Sequence, residues 1–242
     1  MRIPHAMVAG ATALCLSVTG SWAGAATSPH VVDVTGDANA LTMPYTHGGA
    51  VGGLMRLLFP EDPLGPGVPS GPASWAPGDL HSVAFSTVYT TMPDGPVPSA
   101  IRLAIVTGAR PTGLPGGATY VVRATVQGED GAICPVFFEA GFPRDGAPTP
   151  TAAVQLGNTQ DACVYTDLLS ITDERFTAVV GDNGLTLTFP LDVLSEQAAP
   201  FFGDDTTLAS PSAWVNVALV GRTDTAPAGR TFRLAEDQPG SP

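Results

Sequence analysis

Alternation of apolar and polar residues dominates the chain from Leu80 onward. The alternating or apolar segments are residues 81–89, 101–105, 120–126, 133–138, 152–156, 162–165, 176–189 and 214–220. A period of two residues is typical of a strand with one buried face, and no segment keeps the 3.6-residue period of an amphipathic helix. About ten short strands separated by turn residues predict an all-β fold, an antiparallel β-sandwich of jelly-roll or immunoglobulin-like type.

The clearest local prediction is a hairpin between residues 176 and 189. Leu185, Leu187 and Phe189 alternate with threonines, and Gly181-Asp182-Asn183-Gly184 precedes them. An Asn-Gly pair between alternating segments indicates a tight hairpin. The residues predicted to form the core are Ile101, Leu103, Ile105, Val122, Leu185, Leu187, Phe189 and Val217.

The region before Leu80 differs in composition. Residues 30–34 read as a first strand, and residues 40–78 are rich in glycine and proline around an apolar island at 54–59. A loop of this length within a compact domain is usually functional or disordered. We therefore predict one β-sandwich domain over residues 26–236, with this long loop after its first strand and a flexible tail over 237–242.

The N-terminal 25 residues have the pattern of a secretory signal peptide. Arg2 precedes an apolar run from Ala6 to Val18, and an A-x-A pattern ends at Ala25. A membrane anchor is the alternative, but the apolar run is short for a bilayer crossing. The sequence therefore predicts cleavage after Ala25 and a secreted, extracellular product.

The predicted cleavage changes the net charge and the number of cysteines in the chain. The chain has ten Lys plus Arg and 22 Asp plus Glu. Loss of Arg2 leaves nine arginines and a net charge of −13, which disfavours nucleic acid and anionic membranes as partners. Cys15 leaves with the signal, so the remaining pair, Cys134 and Cys163, is predicted to form a disulfide. A metal site on the two cysteines is the alternative, and no histidine lies near either in sequence.

Motifs for catalysis are missing from the sequence. The chain lacks a G-x-S-x-G elbow, HExxH, CxxC, a P-loop and GxGxxG. A pair of carboxylates for glycoside cleavage cannot be recognised from sequence alone. We therefore expect no catalytic residues, and an enzyme with a carboxylate pair stays an alternative.

An oxygen-rich stretch is the candidate ion site. Asp33, Asp37 and Asn39 lie around a glycine turn, and Asp79 precedes the first long strand. Carboxylate and amide oxygens are ligands that Ca²⁺ prefers. The alternative is a turn in which the Asp33 side chain bonds nearby backbone N–H groups.

Several short motifs resemble a known group of exported domains. These are Asp33-x-x-Gly36-Asp37-x-Asn39, Pro77-Gly78-Asp79-Leu80, Pro115 to Tyr120, and Asp224-Thr225-Ala226-Pro227. They resemble DOMON-like and family-nine carbohydrate-binding-module-like β-sandwiches, with Val34 in place of the usual proline. The resemblance implies an accessory binding domain and acidic positions at Asp33, Asp37 and Asp79. Sugar sites in such folds use aromatic platforms, for which Trp75 is the candidate here; the alternative is that Trp75 anchors its loop by packing on the sandwich. We expect Trp214 to lie in the core.

These observations favour a secreted, non-catalytic β-sandwich that binds a glycan or a cell-surface polymer and is stabilised by Ca²⁺. A secreted hydrolase and a structural envelope or adhesion protein are the two alternatives.

Overall fold

A computed structural model describes most of the chain after residue 75. The described residues are 28–33, 35, 76–111, 117–127, 133–144, 147–158, 164–199, 201–203, 205–217 and 221–234. The predicted signal peptide, the C-terminal tail and nearly all of the glycine- and proline-rich segment lie outside these ranges. None of the described residues forms a helix with the length and hydropathy that a bilayer crossing requires.

Twelve strands and one α-helix make up the regular structure of the described residues. The strands are β1 (Val31–Val32), β2 (Leu80–Met92), β3 (Gly95–Thr107), β4 (Ala118–Gln127), β5 (Ile133–Phe142), β6 (Thr151–Asn158), β7 (Val164–Ile171), β8 (Thr177–Gly181), β9 (Gly184–Pro190), β10 (Thr207–Val217), β11 (Gly221–Ala226) and β12 (Phe232–Arg233). The helix α1 spans Leu191–Ala198, and a 3₁₀ turn at Ala76–Gly78 precedes β2.

The strands form two antiparallel sheets, which confirms the predicted sandwich. One sheet has the order β1-β2-β3-β9-β8. The other has the order β11-β10-β4-β5-β6-β7, and β12 also pairs with β10. Where the structure describes the side chains of a long strand, one row of them faces the space between the sheets, as strand geometry requires.

The core between the sheets contains the residues that alternation predicted. Ile101, Leu103, Val122, Leu187 and Phe189 are completely buried, and Ile105 and Leu185 are nearly so. For Val217, the last residue of β10, the side chain is not among those described. The hairpin prediction is also confirmed, since β8 and β9 pair from Thr177–Thr188 to Gly181–Gly184 around Asp182 and Asn183.

Gly184 closes this hairpin at a position where only glycine fits. A Cβ atom there would overlap the backbone carbonyl oxygen of Ile105 on the adjacent strand β3. The close approach lets β9 pair with β3 along its whole length, from Val106–Gly184 to Ala100–Pro190. The turn sequence thus serves both the hairpin and the packing of β9 into the centre of its sheet.

Backbone hydrogen bonds at His30 and Arg230 join the two sheets along one edge. His30 N donates to Val83 O of β2 at 2.7 Å, and Arg230 N donates to His30 O at 2.7 Å. The His30 ring packs edge-on against Phe85 and Phe232, and its Nδ1 accepts a hydrogen bond from Phe85 N at 3.1 Å. The first described residues therefore lie between β2 and the segment that leads into β12.

Several element boundaries differ from the prediction. Helix α1 lies between the last two predicted strand segments, and its Leu191, Val193, Leu194 and Ala198 side chains are buried against the core. Residues 214–217 of the last predicted strand, 214–220, form the end of the longer strand β10, and residues 218–220 lie outside the described residues. Strands β11 and β12 were not predicted, since β11 has a Gly-Arg-Thr-Asp-Thr-Ala sequence without large apolar residues and β12 has two residues.

Candidate functional site

Three of the motifs that carry the family resemblance meet at one end of the sandwich. Leu80 N donates to Asp224 Oδ2 at 2.6 Å, and Thr225 N donates to Asp224 Oδ1 at 2.7 Å. Tyr120 Oη donates to Pro77 O at 2.5 Å. Asp224 lies on β11 of one sheet and Leu80 on β2 of the other, so the buried carboxylate connects the sheets. A carboxylate that accepts two backbone N–H bonds in a buried position satisfies donors that would otherwise destabilise the fold.

Asp79 is also buried, with 3% of its surface exposed. Its Oδ2 lies 3.1 Å from Nε2 of half-buried His81. Its backbone oxygen accepts from Gly108 N at 2.9 Å, and its N–H donates to Ala76 O at 3.2 Å. Gly108 lies so close that a Cβ atom there would come within 3.0 Å of the Asp79 carboxylate. These contacts fix the 3₁₀ turn against the start of β2 and leave little space beside Oδ2.

The structure brings two of the four predicted calcium ligands to the same end of one sheet. Asp33 N donates to His81 O at 3.0 Å, which places Asp33 opposite His81 and near Asp79 along the β1–β2 ladder. Asp37 and Asn39 lie outside the described residues. Within those residues, no group of three or more His, Cys, Asp or Glu side chains is arranged to hold a metal ion. The calcium site therefore stays a prediction.

Two further predicted site features depend on residues that the structure does not describe. Trp75, the predicted aromatic platform, is one of them. Cys163 is another; it immediately precedes β7, whereas Cys134 lies in β5 and is completely buried. Asn158 of β6 pairs with Val164 of β7, at the end of the sheet where β5 begins. The position of Cys134 is compatible with the predicted Cys134–Cys163 disulfide, which stays a prediction.

The outer face of the larger sheet carries a group of side chains with mixed chemistry. Register places Trp214 of β10 beside Val121 of β4, which lies beside Glu139 of β5. One step along the strands, Arg123 of β4 lies beside Phe137 of β5, which lies beside Gln155 of β6. We call the group formed by Trp214, Arg123, Phe137, Glu139 and Gln155 the aromatic-polar face; all five side chains are half-buried.

Contacts within the aromatic-polar face fix the orientation of its groups. The Phe137 and Trp214 rings contact edge to face, with centroids 6.1 Å apart and an interplanar angle of 78°. Gln155 Nε2 donates to Glu139 Oε2 at 3.1 Å. Burial raises the pKa of Glu139, and the hydrogen bond from Gln155 offsets part of that shift. The face therefore combines two aromatic rings, a guanidinium, a carboxylate and an amide on the outer side of one sheet.

The prediction for Trp214 was wrong. Trp214 is half-buried on the outer face, whereas its neighbours Ala213 and Val215 are buried between the sheets. The alternation of Ser212, Trp214 and Asn216 with these apolar neighbours contained the signal, since two polar residues share the strand face of Trp214. The size and apolar character of tryptophan favoured the core interpretation. Glu139, Gln155, Arg123 and Phe137 were not predicted, because they come from strands distant in sequence.

Comparison of the chain with protein-family models, with curated proteins and with solved structures gives no match. The resemblance to DOMON-like and family-nine carbohydrate-binding-module-like domains therefore depends on the short motifs alone.

Proposed function

We propose that the protein is a secreted, non-catalytic β-sandwich that binds a glycan or a cell-surface polymer through its aromatic-polar face. The observation that carries the proposal is the pairing of Trp214 and Phe137 on an outer sheet face, beside Arg123, Glu139 and Gln155. The motif resemblance implies the same class of function. The proposal moves the aromatic platform from Trp75, the residue that the sequence indicated, to Trp214.

The chemistry of these side chains matches the two kinds of surface that a sugar presents. An aromatic ring gives apolar contact area to the C–H face of a sugar ring. The guanidinium supplies N–H donors, the carboxylate supplies acceptors, and the Gln155 amide supplies both. Ligand sites in general combine an apolar lining with a few fixed polar groups. The hydrogen bond between Glu139 and Gln155 holds two of those groups in place before a ligand arrives.

The charge of the chain supports a neutral ligand over nucleic acid or an anionic membrane. With the signal peptide removed, nine arginines face 22 acidic residues. Such an excess of negative charge repels polyanions, whose binding depends on the neutralisation of phosphates by basic residues.

Binding of the mature protein to a panel of soluble polysaccharides tests the proposal. We expect slower migration in native gels that contain the recognised polysaccharide, and loss of that retardation in Trp214→Ala and Phe137→Ala. Val179→Ala is the matched control, because Val179 is 60% exposed on the outer face of the other sheet. Equal retardation of wild type and Trp214→Ala would contradict the assignment of the site.

The calcium prediction has its own test. If Asp33, Asp37, Asn39 and Asp79 bind Ca²⁺ in the folded state, the ion should stabilise the protein by about 2.7 kcal/mol at a hundredfold excess over its dissociation constant. EDTA should then lower the melting temperature of the wild type and leave that of Asp37→Ala unchanged. Asp237→Ala, in the predicted tail, is the control. If EDTA has no effect on the wild type, the stretch is a turn without an ion.

A further inference from the structure

We infer that the aromatic-polar face accepts a single, soluble, uncharged oligosaccharide chain and not the flat surface of a crystalline polysaccharide. The inference depends on the proposed function and narrows its ligand class. Three features of the face carry it: the angle between its two rings, the arrangement of its polar groups, and the balance of its charges.

The angle between the rings excludes a flat aromatic platform. A crystalline polysaccharide presents a plane of sugar rings, so a protein that binds it needs aromatic faces that lie in one plane. The Phe137 and Trp214 rings meet at 78°. Two rings at this angle cannot both lie parallel to the sheet, so they do not form one flat surface. The pair can therefore stack one sugar ring and contact its side, and it cannot lie flat against an extended surface.

The polar groups surround this corner at positions suited to a short chain. Arg123 and Gln155 flank Phe137 on the two neighbouring strands, and Glu139 follows Phe137 on the same side of β5. From Trp214 on β10 to Gln155 on β6 the face spans three strand spacings, which is about 14 Å. Hydrogen-bonding groups within that distance match the hydroxyls at the edges of a few linked sugars. A crystalline face directs most of those hydroxyls toward its own neighbouring chains.

The charges of the face favour an uncharged ligand. It carries one guanidinium and one carboxylate, both half-buried, so a bound cation would lie near Arg123 and a bound anion near Glu139. Burial already disfavours the charged form of Glu139, as its raised pKa shows. A carboxylate on the sugar would add a second negative charge to this environment and to a strongly acidic chain.

The experiment compares soluble and crystalline probes on the same mature protein. The soluble uncharged probes are mixed-linkage β-glucan, xylan, galactomannan and amylose oligosaccharides. Titration calorimetry measures their affinity for the protein. Microcrystalline cellulose and crystalline chitin are tested by sedimentation, and alginate is the anionic probe. Trp214→Ala and Gln155→Ala are the test variants, Val179→Ala is the control, and far-ultraviolet circular dichroism checks the fold of each. If Trp214→Ala does not fold, Phe137→Leu takes its place.

We expect at least one soluble uncharged probe to bind, with affinity about thirtyfold weaker in Trp214→Ala, the loss typical of an aromatic residue at the centre of an interface. Sedimentation with cellulose or chitin as strong as binding to soluble probes would overturn the inference and leave the proposed function in place. Binding of alginate equal to that of the uncharged probes would overturn the charge argument. Absence of binding to every probe would overturn the proposed function itself.

Discussion

Replacement of Asp224 by alanine should destabilise the protein more than most single changes at its surface. The Asp224 carboxylate accepts hydrogen bonds from Leu80 N at 2.6 Å and from Thr225 N at 2.7 Å, and the side chain is buried. Leu80 begins β2 and Asp224 lies on β11, so one side chain joins the two sheets. Removal of the carboxylate leaves these N–H groups without this acceptor.

The expected magnitude follows from the number of affected donors. A buried donor without its acceptor costs about 1–3 kcal/mol, and hydrogen bonds to charged groups lie at the upper end. The Leu80 donor is buried and the Thr225 donor is only partly buried, so we expect a loss of about 2–4 kcal/mol. For a domain of this size, 1 kcal/mol changes the melting temperature by about 2–4 °C. Asp224→Ala should therefore lower the melting temperature by about 4–16 °C.

Asp224→Asn separates the hydrogen bonds from the volume of the side chain. Its amide has one acceptor oxygen, and its NH₂ group would face one of the two N–H donors. We expect a loss between those of wild type and Asp224→Ala. The control is Glu196→Ala, which removes the same charge from an exposed position on α1.

Thermal or urea unfolding of the four proteins measures these differences. We expect wild type and Glu196→Ala to be about equally stable, Asp224→Asn to be less stable than both, and Asp224→Ala to be the least stable. If the free energies of unfolding of Asp224→Ala and Glu196→Ala agree within about 0.5 kcal/mol, the carboxylate does not join the sheets as described.

Three further predictions concern titration and the disulfide. Burial raises the pKa of Glu139, so the folded state binds that proton more tightly than the unfolded state and the protein loses stability as the pH rises above the usual carboxyl range. Glu139→Gln should therefore unfold at a higher temperature than wild type at about pH 7, and at the same temperature at about pH 3. Burial likewise raises the pKa of Tyr120, so wild type should lose stability above about pH 10, where the phenol ionises in the unfolded state. Tyr120→Phe loses the hydrogen bond to Pro77 O and should be less stable than wild type by about 1 kcal/mol at neutral pH. Its further loss of stability at alkaline pH should be smaller than that of wild type, as unfolding measurements at both pH values would show. Thiol labelling of the unfolded, unreduced protein, after the predicted cleavage at Ala25, should detect no free thiol if Cys134 and Cys163 form the predicted disulfide; two labelled cysteines would contradict that pairing.

The fold was predictable where a strand buries one face. Ile101, Leu103 and Ile105 alternate with polar or small residues and all three are buried in β3. The hairpin around Gly184 was predictable for the same reason, with the turn residues as a second signal. Alternation reports local geometry, so it identifies strands and their buried faces without any information on distant partners.

The candidate site was not predictable to the same degree, because it depends on pairing between distant strands. β4 and β10 are adjacent in the sheet but far apart in the chain, and their register alone places Trp214 beside Val121. No local pattern in either strand records that register. The contact of Asp224 with Leu80 was not predictable for the same reason, since the two residues are 144 positions apart in the chain.

Tryptophan fluorescence tests the central claim most directly, because the predicted cleavage after Ala25 would leave two of the three tryptophans of the chain, Trp75 and Trp214. Trp75→Phe leaves Trp214 as the sole emitter, and Trp214→Phe leaves Trp75. Each variant is titrated with a soluble uncharged polysaccharide that the wild type binds. We predict a saturable change in the emission of Trp75→Phe at the wild-type affinity, with weakened binding and little spectral change in Trp214→Phe. A saturable change in the emission of Trp214→Phe, with no change in the emission of Trp75→Phe, would contradict the placement of the site on the aromatic-polar face.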